Sequence, residues 1–124
     1  MIIKTRQIKG EGRGKDLGFP TINMVIPDDM SLDEGVYAGW LVVDGGKPYQ
    51  SAIHFGPVPT FDKVENTLEA HLIGMNDDSL PPIFESEIEL DIVEKIREVE
   101  RFYDVEDLVI QITKDVNKAR NMLK

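Results

Sequence analysis

Hydrophobic and polar positions alternate in steps of two along the first three quarters of the chain, then switch to steps of three and four. A period of two belongs to extended strands, whose successive side chains point to opposite faces. It predicts six strands, over Ile2–Ile8, Thr21–Ile26, Val36–Val43, Tyr49–Phe55, Thr67–Ile73 and Ile88–Ile96. Turn formers stand between them: Pro27-Asp28-Asp29, Asp44-Gly45-Gly46, Pro57-Val58-Pro59 and Asn76-Asp77-Asp78. Asp-Gly between two β runs is a hairpin signal, so antiparallel pairing is expected. No helix of crossover length separates the strands, which excludes a parallel βαβ sheet.

The longer period begins near Val105, where Leu108, Val109, Ile112, Val116, Ala119, Met122 and Leu123 form one apolar stripe on a helix. Asp104 stands at the N-cap position, Glu106 and Asp107 in the first turn, and Lys118, Arg120 and Lys124 near the end, an order that suits the helix dipole. Closing the sheet on itself removes exposed edges. The expected architecture is therefore mainly β: a six-stranded antiparallel Greek-key barrel carrying a C-terminal α-helix.

At 124 residues the chain is expected to be one domain, 1–124, with a single core. Its 41% hydrophobic and 30% charged residues are ordinary for a globular protein, and no apolar run nears the ~20 residues of a membrane span. The first residues lack a secretion-signal layout and there are no cysteines, so the cytosol is the expected compartment and thiolate metal sites are excluded. A net charge of -9 repels nucleic-acid backbones. Nucleic acid and membrane are not expected partners, and a monomer is expected. Between Lys4 and Lys15, however, five bases face the single acid Glu11, a local cationic mouth that suits a small anionic ligand.

That mouth contains the run Gly10-Glu11-Gly12-Arg13-Gly14-Lys15-Asp16-Leu17-Gly18-Phe19-Pro20-Thr21-Ile22-Asn23. Glycines at 10, 12, 14 and 18 let backbone N–H groups converge on an anion, while Arg13 and Lys15 supply countercharge. Pro20 stiffens the approach to a strand in which Thr21 and Asn23 share a face. A hydroxyl and an amide oxygen side by side are hard ligands of the kind Mg²⁺ accepts beside phosphate oxygens. The competing reading is a glycine-rich hairpin connection whose Thr and Asn satisfy turn hydrogen bonds. The run does not match G-x-x-x-x-G-K-[ST], and it leads into a strand, so a helix dipole at the phosphate is not indicated.

A second constellation is Thr67-Leu68-Glu69-Ala70-His71-Leu72, where alternation puts Thr67, Glu69 and His71 on one face and the apolar residues on the other. Glu69 is either a solvent-facing charge or a general base in a cleft, able to take a proton from a hydroxyl that attacks phosphorus. For His71 the alternatives are a partly buried structural imidazole and a catalytic one.

Taken in order, these pieces resemble the riboflavin kinase (flavokinase) family over nearly the whole chain. The family's G-x-G-R-G-x-x-L-G-x-P-T-x-N signature resembles Gly10 to Asn23, and its G-x-Y-x-G strand is similar to Gly35-Val36-Tyr37-Ala38-Gly39. Its G-x-x-P-T-F turn resembles Gly56 to Phe61, its E-x-H strand resembles Glu69-Ala70-His71, and its L-R-x-E-x-x-F segment looks like Ile96 to Phe102. The resemblance implies a flavin-kinase barrel moving the γ-phosphate of ATP to the ribityl 5′-hydroxyl of riboflavin, with FMN and ADP as products.

By the same resemblance Glu69 is the catalytic base, Thr21 and Asn23 hold Mg²⁺ or another divalent ion, and Gly12, Arg13, Gly14, Lys15, Gly18 and Pro20 belong to the nucleotide loop. Arg97 and Phe102 fall on the flavin side. The nucleotidyltransferase domain of larger bacterial members has no counterpart in these residues, so FAD synthesis is not expected.

Departures from the family pattern gather on the substrate side. The usual Leu-Tyr-Gly turn reads Leu80-Pro81-Pro82 here, His54 stands where many members have Asn, Val58 where Arg is common, and Val99 where Glu is usual. They leave two alternatives to a riboflavin kinase: a non-catalytic flavin or nucleotide sensor, and a kinase acting on another polyol.

Overall fold

The computed structural model describes residues 1–8, 17–75 and 86–124. Its strands are β1 (Ile2–Thr5), β2 (Ile22–Met24), β3 (Gly35–Val43), β4 (Pro48–Val58), β5 (Lys63–Leu72) and β6 (Ile88–Arg97), followed by helix α1 (Val105–Met122). A 3₁₀ turn at Pro59–Phe61 joins β4 to β5.

The strands form one sheet in the order β1-β6-β3-β4-β5-β2, antiparallel throughout. Strands β3, β4 and β5 follow one another as neighbours, and β6 returns to lie beside β3. That is the expected Greek-key arrangement.

The two outer strands then meet. Past Thr5 the chain leaves β6 and bridges to β2: Gln7 pairs with Met24, Ile8 N–H donates to the Asn23 carbonyl at 2.8 Å, and Val25 N–H donates to that of Arg6 at 3.0 Å. Closure by this change of partner explains why the first predicted strand, Ile2–Ile8, is interrupted after Thr5.

The reversal after β3 follows its sequence closely. Asp44 and Gly45 both take positive φ (48° and 71°), and Gly46 N–H closes on the Val43 carbonyl at 2.9 Å. Positive φ at both central positions matches the right-handed twist of the flanking strands. At Gly39, a Cβ would lie 2.5 Å from the Asp91 carbonyl oxygen and 2.8 Å from Ile53 Cδ1. Only glycine permits that approach, and it coincides with an irregularity in the β3–β6 ladder between Ala38 and Gly39.

Alternation sorts the side chains into two layers. Ile3, Ile22, Met24, Leu41, Ile53, Leu68, Leu72, Ile88 and Leu90 fill the barrel interior, each nearly or fully buried. On the outer face, Ala38 receives Ala119 and Leu123 of α1, with Trp40, Ala52, Ile73, Ile96 and Met122 around them. Small residues on the sheet let the helix approach closely.

The helix starts at Val105 as its period predicts, with Asp104 at the N-cap position. The Asp104 side chain makes no capping bond, which corrects the expectation of a carboxylate cap. Its backbone carbonyl instead receives Leu108 N–H at 3.2 Å. Among the described residues, no helix is long and apolar enough to cross a membrane.

Candidate active site

The outer face of β2, β4 and β5 that α1 leaves uncovered is the floor of a cavity of about 510 Å³. That volume lies within the usual range of small-molecule sites. Its floor carries Asn23 from β2, Glu69 and His71 from β5, and His54 from β4. Asn23 and His54 are the register partners of Glu69 on either side, so an amide, a carboxylate and an imidazole form one row across three strands. Leu68, Ala70 and Leu72 face the barrel interior, and that fixes Glu69 on the cavity side.

The Glu69 carboxylate is half-buried and held from two sides. Thr21 Oγ1 donates to Oε1 at 3.4 Å and Thr67 Oγ1 to Oε2 at 3.3 Å, both long contacts. Loose bonds of this length leave the carboxylate able to accept another donor. Thr21 and Asn23 thus set a hydroxyl and an amide oxygen beside the Glu69 carboxylate, hard donors with the chemistry that Mg²⁺ prefers, and the pair fits such an ion.

His71 is 8% exposed, and its Nδ1 lies 2.9 Å from the Pro20 carbonyl. A carbonyl oxygen can only accept, so Nδ1 carries the hydrogen. Burial pushes the pKa of the ring below the ordinary 6.5, opposed by this bond to Pro20, so the ring is the neutral Nδ1–H tautomer. The edge of the ring meets Phe19 at 5.4 Å between centroids and 82° between planes. This contact, with the Pro20 bond, ties the end of the glycine-rich run to β5.

The far end of the cavity is built by the segment between β6 and α1. Arg101 donates to the Pro59 carbonyl at 2.7 Å and to Asp62 at 2.9 Å, and Phe102 N–H donates to Thr60 Oγ1 at 3.0 Å. These bonds draw Val99 and Glu100 against Val58, Pro59, Thr60 and Phe61 as one wall. Leu108 and Ile112 of α1 complete it. Both belong to the apolar stripe predicted for core packing, but here they line the cavity.

Arg97 closes the wall from the end of β6. Its Nε lies 2.9 and 3.0 Å from the two carboxylate oxygens of Asp115, Nη2 lies 2.9 Å from Oδ2, and Gln111 donates to Oδ1 at 3.0 Å. Among the described lining residues the acids are Glu65, Glu69, Glu100 and Asp115, against Arg97 as the one fixed cation. With Arg97 already paired, this part of the wall disfavours a bare anion and favours one whose charge a metal has offset.

The sequence-predicted residues therefore divide into three groups. Thr21, Asn23, Glu69 and Arg97 line one cavity. Gly18, at φ +85°, and Pro20 lie beside it without lining it, and so does Phe102, whose ring rests 5.8 Å from the Arg97 guanidinium. Gly12, Arg13, Gly14 and Lys15 lie outside the described residues, as does the Leu80-Pro81-Pro82 turn.

The residues read as departures, His54, Val58 and Val99, all line the cavity. Asp115 had no assigned role. Its signal in the sequence was a carboxylate three residues after Ile112 and directly before Val116, inside the apolar stripe of a helix.

Comparison with known proteins gives the family. The riboflavin kinase (flavokinase) profile matches residues 1–123, and the chain belongs to this family. The bifunctional riboflavin kinase/FMN adenylyltransferase of Escherichia coli (strain K12) is 31% identical over 118 residues, which are 95% of this chain and 36% of that protein. The RNA-binding riboflavin kinase RibR of Bacillus subtilis (strain 168) is 37% identical over 117 residues, 94% of this chain and 48% of that one. The chain thus spans roughly a third to a half of the length of these curated relatives.

Among solved structures, a macrolide-efflux protein from Streptococcus pneumoniae superposes with a TM-score of 0.80 at 26% identity, over 97% of this chain and 38% of that one. Riboflavin kinase from Trypanosoma brucei superposes with a TM-score of 0.70 at 21% identity, over 98% of this chain and 78% of that one. The latter likeness supports the fold: six antiparallel strands with one C-terminal helix.

Proposed function

We propose that this chain is an ATP:riboflavin 5′-phosphotransferase, with residues 1–124 acting as one kinase unit that converts riboflavin and ATP to FMN and ADP. The observation that carries the reading is the meeting of Thr21, Asn23 and Glu69 in one cavity, in a chain of the riboflavin kinase family. Phosphoryl transfer asks for a base, a charge-neutralising metal and firm positioning, and little more.

In this reading the ribityl hydroxyl reaches Glu69 and gives its proton to the carboxylate. The alcohol oxygen bonds to the γ-phosphorus as the bridging oxygen leaves with ADP. Thr21 and Asn23 are the residues that would hold Mg²⁺, which when bound offsets the charge of the phosphates. Gly12, Arg13, Gly14 and Lys15 would cover the phosphates, with Gly18 and Pro20 shaping the end of that loop. Arg97 frames the flavin side through its pairing with Asp115, and Phe102 supports it from behind. A monomer working in the cytosol is the accompanying expectation.

The test is direct. Purified protein is incubated with riboflavin, ATP and Mg²⁺, and FMN is separated by chromatography. Formation of FMN supports the reading; no FMN above that given by a Glu69→Gln variant overturns it.

A further inference from the structure

The hydroxyl assigned to the metal sits on a residue that no strand holds. Thr21 precedes β2, whose first ladder pair is Ile22 with Ala70, and Pro20 has no N–H with which to extend the ladder backward. Gly18 is exposed and at positive φ, so the backbone there has the widest conformational freedom. Some contact must fix the peptide that joins Pro20 to Thr21, and it comes from β5.

His71 supplies that contact in two ways. Its Nδ1–H reaches the Pro20 carbonyl at 2.9 Å, and its ring edge braces Phe19 at 5.4 Å. The Pro20 carbonyl belongs to the same rigid peptide plane as the nitrogen of Thr21, so a bond to that oxygen orients the Thr21 backbone as well. The donor is firmly placed: His71 is buried, lies within β5 next to its last residue Leu72, and has Ala52 of β4 as its register partner. Its neighbour on the same face is Glu69, two residues earlier. One strand therefore carries the carboxylate and also the anchor for the hydroxyl that bonds to it.

We propose that His71 is a positioning residue for the metal and phosphate end of the site, acting through the Pro20 carbonyl to hold Thr21 opposite Glu69. This deepens the kinase reading and rests on it for the identity of the nucleotide. The imidazole touches neither reacting atom; its work is to convert a loop residue into a preorganised ligand. The flavin end, built by Val58 to Phe61, Val99 and α1, does not depend on it.

The proposal is tested with three variants. His71→Phe keeps a ring against Phe19 and removes the donor. His71→Asn keeps an amide N–H where Nδ1–H was, and His71→Gln moves it one carbon further out. Binding of MgADP without riboflavin is measured by calorimetry, and KM is measured separately for MgATP and for riboflavin. His71→Phe is expected to weaken MgADP about five- to tenfold, the value of one lost hydrogen bond, and to raise KM for MgATP in parallel. The riboflavin KM stays within about twofold, and His71→Asn recovers most of the loss while His71→Gln does not.

Unchanged MgADP affinity in His71→Phe, or equal losses at both substrates, overturns the proposal. Should His71→Phe fail to fold by circular dichroism, the Asn against Gln comparison decides alone: equal MgADP affinities overturn it. Wild-type protein that binds MgADP but forms no FMN would overturn the kinase reading, while calorimetry on the same variants still decides the role of His71.

Discussion

Arg97 and Asp115 face each other as a planar fork on a carboxylate, joining the last residue of β6 to the middle of α1. Their side chains are 19% and 5% exposed, so the pair is largely out of water. A buried pair of this kind contributes little net stability when intact, because desolvation offsets attraction, but breaking it strands a charge. Since both residues line the cavity, the same pair fixes helix and site together.

Removing one partner is therefore expected to cost far more than removing both. Asp115→Ala should lower the unfolding free energy by about 3 to 5 kcal/mol, read from the urea midpoint, because the Arg97 guanidinium loses its counter-charge. The double variant Arg97→Met with Asp115→Leu should recover most of that loss. A double variant as unstable as the single one would show that helix docking depends on the ion pair itself.

Glu69 offers a sharper separation of chemistry from structure. Glu69→Gln keeps the shape and one acceptor for Thr21 or Thr67, but it cannot accept a proton. FMN formation should fall by about 10² to 10⁴, with stability and MgADP affinity nearly unchanged. Loss of nucleotide binding on the same scale would place the carboxylate among the binding groups instead of the proton acceptors.

Much of this was legible in the letters, for identifiable reasons. Thr67 to Leu72 alternates without interruption, so once Leu68, Ala70 and Leu72 are inside, Glu69 and His71 have only the outer face. The Asp44-Gly45 reversal was legible because few residue pairs tolerate positive φ twice. Strand ends were less so: β2 is Ile22–Met24, shorter than the predicted Thr21–Ile26, and its ladder with β5 stops at Met24 and Leu68 although β5 extends back to Lys63.

Leu108 and Ile112 illustrate another limit. Periodicity gives the apolar face of a helix but not whether that face meets packed core or an open cavity. Asp115 reads as an interruption of the stripe until its partner, 18 residues earlier in sequence, is known. The pattern of one element does not contain the charge on another.

Close packing at Gly39 gives a prediction about folding alone. Gly39→Ala would put a methyl group 2.5 Å from the Asp91 carbonyl oxygen and 2.8 Å from Ile53 Cδ1, forcing β3 and β6 apart where they are joined. A loss of about 2 kcal/mol or more in unfolding free energy is expected from such overpacking. Substitution without loss would mean that the strands shift freely at this point.

Stability should also depend on pH through His71, and the sign follows from its environment. Burial holds the folded ring below the ordinary 6.5, so as pH falls through about 6.5 the unfolded chain takes up a proton that the folded chain resists. The unfolded state then binds more protons, and stability falls with pH until the folded ring titrates as well. Above that window the contribution is flat. Between about pH 7.5 and 5.5 the wild type should lose more unfolding free energy than His71→Asn, which has no ring to titrate; parallel curves would remove His71 from the account.

The last prediction concerns the hydroxyl beside the carboxylate. Thr21→Val keeps the β-branched shape and volume in a half-buried position but deletes the oxygen that reaches Glu69 at 3.4 Å. If that oxygen is one of the metal's ligands, the variant should need more Mg²⁺, with the half-saturating concentration rising about tenfold while riboflavin binding, followed by fluorescence quenching, stays the same. Asn23→Leu should do likewise, since Asn23 faces Glu69 from the adjoining strand. A drop in maximal rate at unchanged Mg²⁺ requirement in both variants would assign the hydroxyl and the amide to orienting Glu69, and the divalent ion would then have to be held by the substrate phosphates and other groups of the cleft.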